Sequence, residues 1–129
     1  MDPERITATV GISPSRQWKV GEPRVLPNGK PLPGVNEKSY WSVKLHEQDK
    51  LNSEKILLEE FLLSSCKRFA NLQGFFQEVT DSGGQVEFFV GWFGPSMFGA
   101  SFEPKLLRAA ADLNTSIELD IYAGEDDDT

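Results

Sequence analysis

Cysteine and histidine are nearly missing from this sequence, which has one of each, Cys66 and His46, in 129 residues. A lone cysteine excludes an intramolecular disulfide and points to a reducing compartment. One thiol and one imidazole also fall short of a metal centre, so neither a metal nor a cofactor is expected. No apolar run approaches the ~20 residues that a membrane-spanning helix needs. The opening Met1-Asp2-Pro3-Glu4-Arg5 has neither the basic region nor the apolar core of a signal peptide, and a cytoplasmic protein is expected. The glycines form no phosphate loop with a following Lys and no dinucleotide fingerprint. Gly94-Pro95-Ser96-Met97-Phe98 starts like a nucleophile elbow, yet Phe98 stands where that motif needs Gly, so the segment reads as a turn. Positive charge is scarce as well: 13 Lys and Arg face 20 Asp and Glu, for a net charge of −7. Nucleic-acid phosphates require a cationic footprint, so no nucleic-acid partner is expected.

What is present is a globular composition, 39% hydrophobic, at a length whose folding hides roughly two-thirds of the unfolded surface. One domain over residues 1–124 is expected. Glu125-Asp126-Asp127-Asp128 contributes −4 of the −7, leaving −3 for residues 1–124. Residues 125–129 read as a solvated, disordered tail, the alternative being a tail that engages a basic partner.

The stretch from Gln85 to Tyr122 organises the rest. Val86-Glu87-Phe88-Phe89-Val90-Gly91-Trp92-Phe93 is apolar enough for one buried strand, and after the Gly94-Pro95 turn a second extended piece is expected around 97–102. Without basic neighbours, its aromatics read as core rather than as a base-stacking platform. Pro104 suits a first helical turn, Leu106, Leu107, Ala110 and Leu113 recur at helical spacing, and Asn114 can close the helix in a left-handed cap. Ile117-Glu118-Leu119-Asp120-Ile121-Tyr122 alternates as a strand with one wet face. Upstream, Leu58, Leu62, Cys66, Phe69, Leu72 and Phe76 fall on one face of a long helix expected over 53–79. There Cys66 is core filler rather than a nucleophile. Trp41, Val43 and Leu45 share one face of a strand that starts at Tyr40 and is closed by His46, read as a surface residue.

Two stretches are harder. Residues 13–37 hold five of the eight prolines and three glycines, which predicts a long loop with a turn at Asn28-Gly29. Arg16, Lys19, Arg24 and Lys30 against Glu22 and Glu37 make this loop locally basic. Trp18 is expected to anchor it to the core, an exposed ligand-stacking role being the alternative. Arg16, Trp18, Lys19 and Arg24 are the candidate ligand- or partner-binding residues. Over 5–12, the Asp2-Pro3-Glu4 cap and the Gly11 stop predict a helix at about Pro3–Val10, with Ile6 and Val10 facing the sheet. The alternation of Ile6, Ala8, Val10 and Ile12 speaks for a strand instead. The helix is the reading taken.

Asp2-Pro3-Glu4-x-Ile6-Thr7, Gly11-Ile12-x-Pro14-Ser15-Arg16-x-Trp18 and Lys19-x-Gly21-Glu22-Pro23 resemble the opening of a bacterial family known as domain of unknown function 4279. Tyr40-Trp41-Ser42, Ser101-Phe102-x-Pro104-x-Leu106-Leu107 and the run from Leu113 to Tyr122 extend the similarity over nearly the whole chain. The resemblance implies an α+β domain with a helix-covered sheet, close to a ferredoxin-like split βαβ plan, and implies no activity. Members usually have a strand before the Asp-Pro helix, for which Met1 leaves no room. From that missing first strand follow two expectations, a homodimer or a start upstream of Met1. The expected fold is therefore α+β, a mostly antiparallel sheet of about four strands with helices at 53–79 and 104–113 on one face. The expected function is a small binding or interaction module, with an immunity-type inhibitor of a basic toxin among its readings. The alternative is a small-molecule binder or an enzyme using the 13–37 loop over the sheet.

Overall fold

In the computed structural model, residues 1–46 and 50–124 are described. The acidic tail expected at 125–129 lies outside them. The chain divides into two units, Met1–Leu45 and His46–Thr129.

The first unit opens with helix α1, Pro3–Val10. Asp2 stands at its N-cap in extended conformation, and its Oδ1 accepts the Glu4 N–H at 3.0 Å. Pro3 gives up only an N–H that no helical carbonyl would have met. Gly11, at φ 79°, closes the other end by donating its N–H to the Thr7 carbonyl at 2.9 Å. Caps thus override the strand-like alternation over 5–12, and Ile6 and Val10, four apart, are both half-buried.

Residues 13–37 do not form the long loop expected of them. Strand β1, Arg16–Trp18, and strands β2, Pro23–Val25, and β3, Pro31–Val35, lie inside that stretch. β2 and β3 pair antiparallel as a hairpin whose turn is closed by Leu26 and Lys30, with Gly29 at φ 85°. The prolines are tolerated because a two-stranded ladder leaves each strand a free edge, where a missing N–H breaks no pairing. β1 pairs antiparallel with β4, Tyr40–Ser42, which ends before the expected Leu45. The Trp41 indole N–H donates to Thr7 Oγ1 at 2.9 Å and ties β4 to α1.

In the second unit, β5, Lys50–Asn52, leads into α2, Leu58–Arg68, then a 3-10 turn at Ala70–Leu72 and α3, Gln73–Asp81. β6, Val86–Gly94, α4, Pro104–Asp112, and β7, Thr115–Ala123, complete it. The expected helix over 53–79 is therefore two helices broken at Phe69 (φ −105°, ψ 10°), whose ring still reaches the core beside Phe76 at 6.5 Å. Its start moves from Ser53 to Leu58 because the Asn52 side chain and carbonyl capture the N–H groups of Glu54, Lys55 and Ile56 in a turn. Residues 97–102 form no strand; Phe98 instead packs edge-on against Trp92 at 4.7 Å. Asn114, at φ 55°, makes the left-handed step after α4.

The three strands β5-β6-β7 pair in that order and all parallel. This corrects the mostly antiparallel, four-stranded sheet expected from the sequence, and with it the ferredoxin-like plan, in which neighbouring strands run antiparallel. The physical reason is the link between partners: a helix after a strand carries the chain back to the strand's starting end, and the next strand then runs the same way. Two such links stepping in one direction set their helices on one face; α2 packs on α4, α4 on β7 and α3 on β6. The fold class is α+β. Leu58, Leu62, Cys66, Phe69, Phe76, Val90, Trp92, Leu106, Ala110 and Leu113 form the buried core of this second unit, while the first unit buries Pro3. Of the six side chains expected on the long helix's apolar face, Leu72 alone is only half-buried.

Candidate functional site

The basic N-terminal unit holds the cleft that draws on the expected binding residues. In β1, Arg16 and Trp18 are two apart and share one face of the strand. Tyr40 is the cross-strand partner of Trp18, so the two rings stack at 4.2 Å and 14° between planes. The Arg16 guanidinium lies over the Trp18 ring, 4.9 Å from its centre. Trp18 is therefore half-exposed and seated on Tyr40, not sunk into a core as its anchoring role required.

Trp18 and Arg24 line an open cleft of about 450 Å³ together with Val35, Asn36, Glu37 and Lys38. The cleft is more open than enclosed, a depression in the surface rather than a closed pocket. Asn36 is fixed there by three bonds: its N–H to the Glu22 carbonyl at 2.9 Å, its carbonyl from Gly21 N–H at 2.8 Å, and its side-chain amide to the Lys19 carbonyl at 3.1 Å. The Arg24 guanidinium makes one long contact, 3.4 Å to the Pro33 carbonyl, which leaves most of its donors for solvent or a ligand. Lys19 goes elsewhere: its ammonium is 3.6 Å from the Asp2 carboxylate. The Glu4 N–H, opposed by desolvation and helped by Lys19, holds the Asp2 carboxyl below the usual range.

Of the four expected residues, Trp18 and Arg24 line the cleft, Arg16 lies on the Trp18 ring but not in that lining, and Lys19 pairs with Asp2 at the cap of α1. Sequence reasoning missed Asn36, Lys38 and Tyr40. Their place depends on which residue faces which across β1–β4 and β2–β3, and no local spacing encodes that register.

In the second unit, His46 meets the Phe61 ring edge-on at 5.8 Å. Cys66 is buried on α2, and burial pushes its thiol up, away from nucleophilic character. No cluster of three or more His, Cys, Asp or Glu able to hold a metal occurs among the described residues.

These observations define an α+β protein with a cation- and aromatic-lined cleft on its N-terminal unit. Residues 1–124 match the family described as Domain of unknown function (DUF4279), and the chain belongs to that family. No curated protein and no solved structure matches it.

Proposed function

We propose that this protein is a binding module whose ligand site is the cleft of the N-terminal unit, and that the ligand is a small anion bearing a flat apolar group. The observation that carries this reading is the convergence of Trp18, Arg24 and Lys38 on one open cleft of about 450 Å³. The guanidinium offers a planar fork of donors to a carboxylate, Lys38 adds a point charge, and Trp18, its ring faces engaged by Tyr40 and Arg16, supplies an apolar edge. Glu37 is the one carboxylate in the lining, and no hydroxyl, thiol or imidazole lines it. The cations and the tryptophan of that lining support recognition of an anion. Isothermal titration with naphthoate, its uncharged amide and inorganic phosphate tests the reading. Naphthoate should bind, the amide should bind about tenfold more weakly or less, and Arg24→Gln should erase the difference, since a charge-assisted bond is worth about 1.5–3 kcal/mol. Equal heats for the parent protein and for Arg24→Gln and Trp18→Leu would remove the cleft from consideration.

A second reading, an immunity-type inhibitor that sequesters a basic protein, is favoured by charge. Residues 46–129 carry six Lys or Arg against sixteen Asp or Glu, a net of −10. Six of those carboxylates lie at 47–49 and 125–128, outside the described residues, and residues 50–124 still carry ten Asp or Glu against six Lys or Arg. Such a charge balance would steer a cationic partner, and association should slow steeply as salt rises.

A further inference from the structure

We infer that the outer edge of β7 is a docking strand for an extended, basic segment of another protein, which adds to the parallel sheet as a fourth strand. This rests on the second reading above and names the surface and the mode of binding.

β7 is the end strand of its sheet, nine residues long, Thr115–Ala123. Among the described residues only β6 pairs with it, so every second N–H and C=O along its other side points outward without a backbone partner. Natural edge strands are blunted by shortness, bulges, proline or charge. β7 is neither short, bulged nor broken by proline, its register with β6 running unbroken from Val86↔Thr115 to Gly94↔Ala123, and its protection is the charge of Glu118 and Asp120, which repels a like strand but not a cationic one. Apolar surface is left beside the edge, with Ile121 58% exposed. On the sheet face away from the helices, Phe89 is 61% exposed beside its register partner Glu118.

Charge decides the occupant. Glu118 and Asp120 project to the same face, and Glu87 on β6 lies within hydrogen-bonding reach of Glu118. Loss of hydration first, and then the hydrogen bond to Glu118 and its charge, push the Glu87 carboxyl up. The facing cation is Lys50, in one row with Gly91 and Asp120, its ammonium 4.0 Å from the centre of the Tyr122 ring. A second copy of β7 fits poorly. Antiparallel pairing about Leu119 would set Glu118 against Asp120, and in-register parallel pairing would set each carboxylate against itself. A strand alternating Lys or Arg with β-branched residues places cations over Glu118 and Asp120 and apolar side chains beside Ile117, Leu119 and Ile121. Main-chain bonds then supply affinity, and the alternating contacts supply register.

The test uses the full chain and an N-acetylated, C-amidated nine-residue peptide alternating Lys and Val, with a Glu-Val peptide as control. Amide exchange is followed residue by residue by NMR. The expected result is salt-sensitive binding of the Lys-Val peptide alone, with alternate amides of 115–123 gaining about tenfold protection, the signature of new main-chain bonds rather than diffuse attraction. Glu118→Lys with Asp120→Lys, both at exposed positions, should exchange the preference to the Glu-Val peptide. If the Lys-Val peptide binds but protection falls outside β7, the docking strand is wrong while the basic-partner reading stands. If neither peptide binds at low salt, both fall. A chain that dimerises on its own with β7 protected would hand the edge to a second copy and overturn the inference.

Discussion

The two units of this chain fold by different means. Residues 1–45 carry seven Lys or Arg against four Asp or Glu, a net of +3, while residues 46–129 stand at −10. Among the described residues the first unit buries only Pro3; its strands are three to five residues long, its sheets two-stranded, and one indole–hydroxyl contact ties its helix to a strand. The second buries Leu58, Leu62 and Leu106 to within 2% of full exclusion and lays two nine-residue strands side by side. Apolar burial is the larger stabilising term in folding, so the lesson is a division of labour: the second unit holds the fold and the first presents a surface.

The largest effect expected under that comparison is at the core of the second unit. Leu62→Ala or Leu106→Ala removes a side chain only 1% exposed and should destabilise by about 2–5 kcal/mol in chemical denaturation. A loss no larger than that of surface variants would show that the core lies elsewhere. Next is Thr7→Val, which deletes the acceptor of the Trp41 indole N–H and should weaken the first unit by about 0.5–1.5 kcal/mol. Residue-level hydrogen exchange should then rise across α1 and β4 and stay unchanged in β6. A rise spread evenly over the whole chain would erase the distinction between the units.

A smaller effect is tied to pH. The Glu87 carboxyl is pushed up by partial burial and by Glu118, so the folded state favours its protonated form. That contribution is fully present below the ordinary glutamate range and is lost as pH rises through the folded value. Glu87→Gln mimics the protonated state and should raise Tm slightly at neutral pH, the gain vanishing on acidification. A gain that persists in acid would place its cause outside this carboxyl pair. The smallest effect belongs to the first unit's surface: Val25→Ala, at a side chain 51% exposed, should change stability by no more than about 0.5 kcal/mol.

Where residues signal their own neighbours along the chain, the sequence was a good guide. Asp2, Pro3 and Gly11 bounded α1 against a contrary alternation, Pro104 opened α4, Asn114 took the left-handed step, and β6 and β7 were visible as runs. Strand direction was not visible, for a specific reason. Parallel sheets are commonly covered on both faces and read as continuous apolar runs, whereas β7 alternates because one face of this sheet is left to water, and that pattern imitates an antiparallel strand. β5, at three residues, is too short for any period to show. The candidate site followed the same divide: Arg16, Trp18 and Arg24 stood out as cations and an aromatic in a polar stretch, while Tyr40, Asn36 and Lys38 join them only through cross-strand pairing.

The placing of the tryptophans gives the molecule a built-in optical readout. Trp92 is 5% exposed in the second unit, with Phe98 edge-on against it. Trp18 sits half-exposed on Tyr40 and Trp41 is hydrogen-bonded to Thr7, both in the first unit. Emission from this chain should therefore combine a shielded component from Trp92 with one from Trp18 and Trp41 that is more in reach of solvent. The shielded component follows the unit that stores the stability, and the other follows the unit that carries the cleft.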